Sequence, residues 1–169
     1  DCEYARLLNA FKSVMAGGVE LLLVTGYSGI GKSSLVNEIH KPVVAQGGYF
    51  ISGKFDQFKR TIPYSAFNQA FRELMRQILT ESESRIAEWR VKLLKALGPN
   101  GQLIIDAIPE LEFIIGKQLP VPLPSATRNS FNYVMQNFVS VFTHADHPVV
   151  LFLDDCLLYT SDAADDMQC

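Results

Sequence analysis

Gly26, Gly31, Lys32 and Ser33 fill the fixed positions of the pattern G-x-x-x-x-G-K-[ST]. These residue types at this spacing suit one task, the holding of a chain of phosphates. Gly26, Gly29 and Gly31 allow positive φ, so successive backbone N–H groups can turn inward around an anion. Lys32 is placed to reach β- and γ-phosphates, and the Ser33 hydroxyl to ligate Mg²⁺. The binding loop is therefore read as Gly26, Tyr27, Ser28, Gly29, Ile30, Gly31, Lys32, Ser33 and Ser34, with ATP and Mg²⁺ as its ligands. A second stretch, Pro148 to Asp155, is an apolar run ending in two carboxylates. Open parallel sheets bind ligands at the carboxyl ends of their strands. Asp154 is accordingly assigned to the metal with Ser33. Asp155 is assigned to polarising an attacking water, with Lys32 as the other catalytic group.

Such a loop needs a strand before it and a helix after it. Glu20–Thr25 has the apolar run expected of a central parallel strand. Lys32–Gln46 has helical periodicity through Leu35, Val36, Ile39 and Val43, with Pro42 expected to kink or restart it near His40. Glu3–Met15 reads as a first helix closed by Gly17-Gly18, and Tyr49–Ser52 as a second strand. From Tyr64 to Thr143 the pattern is mostly helical, with a capping box expected at Thr80-x-x-Glu83, a turn at Gly98–Gly101 and an interruption at Pro109. Pro120–Pro124 reads as a stiff spacer. The fold class is thus α/β: a phosphate-loop (P-loop) parallel sheet flanked by helices, with a helical insertion between strand two and the strand that ends at Asp154.

Composition narrows the partners. The 169 residues are 48% hydrophobic and 20% charged, with net charge −3. That is ordinary for a globular domain and argues against nonspecific nucleic-acid binding. The longest apolar runs, such as Leu21–Val24, are too short to span a bilayer, and Asp1–Ala16 lacks the form of a signal peptide. Cys2, Cys156 and Cys169 form neither a disulfide framework nor a zinc spacing, which points to the reducing cytoplasm. His144 and His147 flank Asp146 and read as a solvated loop; His40 reads as helix surface. Lys54, Asp56 and Gln57 either read the γ-phosphate, touch a neighbouring domain, or simply end a strand.

Several segments taken together resemble a known family. They are Gly26–Ser33, His40–Pro42, Gly48–Gln57, Ile62–Ser65, Gly98–Gln102 and Leu151–Asp155, and the most particular is Gly53-Lys-Phe-Asp-Gln57. The resemblance is to the AAA-type ATPase domain (P-loop, origin-recognition-like) of large bacterial sensor kinases. There it stands between a serine/threonine-kinase-like domain and sensor and histidine-kinase domains. In those terms Gly26–Ser33 is Walker A and Leu151–Asp155 is Walker B. The resemblance implies ATP/ADP and Mg²⁺ binding, slow or regulated hydrolysis, a cytoplasmic signalling role, and kinase and sensor domains of the same parent chain as partners, with a homo-oligomer allowed. It covers residues 3–155 and makes 1–155 an incomplete ATPase domain. The family's glycine–arginine pair before the first helix is missing, as are its later strands, arginine finger and lid. Where the family continues with Leu-Gln-Trp-Ala-Asp, residues 156–169 run Cys-Leu-Leu-Tyr-Thr-Ser without strand or helix period and are expected to be a non-native tail. Two other readings remain open: a nucleotide-binding scaffold without turnover, and an origin-recognition-like ATPase acting on DNA.

Overall fold

The computed structural model describes residues 2–27, 29–55, 64–120, 128–143 and 147–154. Helix α1 is Cys2–Met15, α2 is Lys32–Glu38 and α3 is His40–Ala45. Strand β1, Tyr49–Lys54, follows; then α4 (Ser65–Ile78), α5 (Glu83–Leu97), α6 (Gly101–Ala107), α7 (Glu112–Ile115), α8 (Arg128–Ser140) and strand β2 (Val149–Asp154). Short 3-10 turns at Gly98–Asn100 and Pro109–Leu111 lead into α6 and α7. Proline explains two of the breaks. Pro42 has no N–H to give to Glu38, so the second helix restarts at His40. Pro109 likewise ends α6 and opens the next turn.

The two strands are parallel, from Tyr49 opposite Val149 to Lys54 opposite Asp154. Alternation along β1 sends its side chains to two separate cores. Tyr49 and Ile51 enter the larger core with Phe71, Leu74, Trp89, Leu93 and Phe138. Phe50 enters the smaller one with Leu7, Phe11, Val36, Ile39 and Val43. Helices therefore cover both faces of the sheet, as the α/β reading requires. Helix α4 is the main buttress: Ala66, Ala70, Phe71, Leu74, Met75 and Ile78 are all buried, each large one contributing about 1.5–3 kcal/mol of burial. It lies so close to β1 that a Cβ on Gly53 would stand 1.8 Å from the Ala66 carbonyl oxygen. Gln77 Nε2 adds a bond of 2.9 Å to the Phe50 carbonyl.

Three expectations need correction. Residues 20–25 form no strand: Leu21 is 96% exposed and Leu23 74%. A strand is held by ladder bonds to a neighbour, and among the described residues β2 pairs only with β1. An apolar gap of about 170 Å³ separates the 20–24 segment from the other side of β2, lined by Phe11, Leu22, Val24, Val150 and Phe152. For the same reason β2 is only half-buried, with Leu151 36% exposed. The capping box is absent too. Thr80 Oγ1 donates instead to the Gln77 carbonyl at the end of α4, and Ser82 stands at the N-cap of α5, making Glu83 its first residue. Finally, His147 is no simple solvated loop residue. Its ring lies 5.6 Å from that of Trp89 and 6.4 Å from that of Tyr49, and Arg85 Nη2 lies 2.9 Å from its Nε2. His40 is exposed as expected, tilted against Phe50. His144, Asp146, the Val121–Pro124 part of the spacer and the tail 156–169 lie outside the described residues.

Candidate functional site

The glycine-rich turn that begins at Gly26 connects the largely exposed 20–25 segment to α2. Gly29 and Gly31 take positive φ, 82° and 94°, the region an L side chain enters only with strain. Gly31 is the N-cap of α2, and its carbonyl accepts the Leu35 N–H at 2.9 Å. That turn delivers Lys32 and Ser33 as the first two helical residues. Val36 and Ile39, one and two turns on, bury α2 against the smaller core and so fix its start relative to the sheet. Tyr27 and Ile30 are 88% and 69% exposed, so the loop's outer rim is open.

β2 reaches the same place from the other end of the chain. Its last residue, Asp154, accepts a hydrogen bond from the Ser33 hydroxyl, Oγ to Oδ2 2.9 Å, across 121 positions of sequence. A hydroxyl and a carboxylate are hard oxygen donors, the set that suits Mg²⁺. The donor chemistry therefore fits the expected ion, with Ser33 and Asp154 as the residues that would hold it. Lys32 Nζ donates to the carbonyls of Gly26 and Tyr27, at 2.7 and 2.9 Å. The ammonium thus folds across the loop and satisfies itself on backbone oxygens. An anion entering the loop would take over those donors.

Of the residues assigned from sequence, Gly26, Tyr27, Gly29, Ile30, Gly31, Lys32, Ser33 and Ser34 lie on this one turn, with Asp154 joined to it through Ser33. Ser28 and Asp155 lie outside the described residues, as do Asp56 and Gln57. Lys54 stands directly opposite Asp154 on the last rung of the β1–β2 pair. Sequence alone left it ambiguous; the signal was its place at the end of a strand that could pair with the Asp154 strand.

Away from the loop, charge and burial are arranged for structure. Glu110 is buried. Burial by itself would raise its pKa, but hydrogen bonds from Arg72, its own backbone and Arg76 outweigh that and lower it. Arg72 Nε lies 2.8 Å and Arg76 Nη2 2.6 Å from its oxygens. Burial and the hydrogen-bonded Glu81 carboxylate push the Tyr49 hydroxyl well above its ordinary pKa, so it stays a neutral donor.

The AAA ATPase domain family matches residues 1–167. The chain is 40% identical over 155 residues, 90% of its length, to hybrid signal transduction histidine kinase G of Dictyostelium discoideum. It is 28% identical over 102 residues, 60% of its length, to histidine protein kinase 1 of Candida albicans. The chain spans about 4% of the length of each of these curated relatives. Both are eukaryotic, so the bacterial setting rests on the family resemblance alone. No solved structure matches.

Proposed function

Since the chain belongs to the AAA ATPase domain family, we propose that it binds ATP with Mg²⁺ on the Gly26–Ser34 loop and serves as a nucleotide-dependent switch within a signalling histidine-kinase chain. The observation that carries this reading is the 2.9 Å bond between Ser33 and Asp154. Chance matches to a glycine-rich pattern have no reason to meet a strand-end carboxylate 121 residues away. The similarity to two histidine kinases supports the signalling context.

The chain's own groups divide the work. Backbone N–H groups around Gly29 and Gly31 cradle phosphate oxygens. Lys32 leaves the Gly26 and Tyr27 carbonyls and pairs with β- and γ-phosphate oxygens. Ser33 and Asp154, whose side-chain oxygens already meet, would hold the metal. The ion, when bound, neutralises charge on the phosphates. Asp155, next after β2, is the group proposed to polarise water where the parent chain turns ATP over.

Titration with a fluorescent ATP analogue tests the loop. Lys32→Ala removes the charge paired with phosphate and is expected to cost about 1.5–3 kcal/mol, roughly ten- to hundredfold in affinity. Equal affinity in wild type and variant would remove the loop from the site.

A further inference from the structure

We infer that Lys54 belongs to the nucleotide site and reads the terminal phosphate, distinguishing a nucleoside triphosphate from a diphosphate. The inference rests on the loop being the nucleotide site; it adds a residue from a different element. Three observations carry it. First, register: β1 and β2 run parallel with Lys54 opposite Asp154 on the last rung, and Phe55 N–H donates to the Asp154 carbonyl at 3.1 Å. Second, face: Tyr49 and Ile51 enter the α4-side core, and Gly53 faces Ala66 of α4. Alternation then turns Lys54 to the opposite face, with Phe50. Asp154 is on that face too, because its carboxylate meets Ser33 at the start of α2. Third, anchoring: the Lys54 backbone N–H donates to Gln69 Oε1 at 3.3 Å, and the residue before it is packed directly on α4, while the Lys54 side chain is exposed. The base is fixed and the residue lies at the surface.

Neighbouring strands lie about 4.8 Å apart, and a lysine carries its charge on a flexible four-carbon stem. The Lys54 ammonium therefore commands the space beside Asp154, on the side away from the loop. Phosphates nearest the loop are served by its N–H groups and Lys32. The end of the chain that projects past Ser33 toward Asp154 meets Lys54. A diphosphate lacks that end, so a cation at this position favours the triphosphate selectively. That separates Lys54 from Lys32, whose loss weakens both nucleotides.

Calorimetric titration of the 169-residue protein with ATP and with ADP, at fixed Mg²⁺, decides the matter. Lys54→Gln is expected to weaken ATP about tenfold and leave ADP within about twofold, with Lys54→Arg keeping most of the preference. Lys54→Met, which retains the apolar stem, serves the same comparison should the Gln variant lose its cooperative melt. An unchanged ATP-to-ADP ratio in the neutral variants, or an equal loss for both nucleotides, overturns the inference and leaves the loop reading intact. Wild-type protein that binds neither nucleotide overturns the loop reading and this inference together.

Discussion

Replacing Gly53 by Ala isolates the contact that sets α4 on the sheet. An added Cβ would stand 1.8 Å from the Ala66 carbonyl oxygen and 2.6 Å from its carbon. Real Cβ atoms essentially never come within 3.0 Å of a neighbour, so α4 would have to withdraw by about 1.2 Å. The obstacle is helix backbone, which cannot turn aside as a side chain can. Withdrawal would loosen Ala66, Ala70 and Leu74, all fully buried. Overpacking of this kind costs about 3 kcal/mol, the upper end of the usual range. For a chain of this size that is a loss of about 6–12 °C in thermal midpoint. Gly47 supplies the control. Its φ is 72° and nothing lies within 4 Å of its added Cβ, so Gly47→Ala carries conformational strain without a clash. That strain is worth about 1–2 kcal/mol. Differential scanning calorimetry of both variants is the assay. A Gly53→Ala protein melting as high as Gly47→Ala would refute the close α4–β1 approach, and with it the anchoring of Lys54.

Two further outcomes are expected. Asp154→Asn should weaken the Mg²⁺-dependent part of ATP binding and spare metal-free binding, because the loop retains its N–H donors and Lys32; titrations with and without chelator separate the two, and equal losses in both would take Asp154 off the metal. Glu110, whose pKa is lowered in the fold, contributes stability that is present above the unfolded glutamate value of about 4.3 and is lost as pH falls through the lower folded value. Its arginine partners are 45% and 61% exposed, so screening holds the contribution to about 1 kcal/mol. Urea unfolding between neutral and acid pH should show that decline in wild type and a shallower one in Glu110→Gln; parallel curves would refute it.

What sequence determined by itself was local. The phosphate-loop spacing, the break at Pro42, the amphipathic helix from Ser65 to Ile78 and the apolar run into Asp154 each depend on residues within a few turns of one another. Periodicity and backbone chemistry report those directly. The same logic explains why Glu20–Thr25 misled: an apolar run states a preference for burial in a sheet, whereas a strand exists only where a neighbour supplies its ladder. Thr80 failed as a cap for a related reason, since its hydroxyl found a nearer acceptor at the end of α4. Tertiary structure alone decided that Ser33 meets Asp154, that Gly53 must lack a side chain because α4 rests upon it, and that Lys54 shares a face with the site. Each of these joins segments remote in sequence or turns on which face of a strand a side chain takes. A one-residue change of register would send Lys54 to the other face, and nothing in the local sequence forbids it.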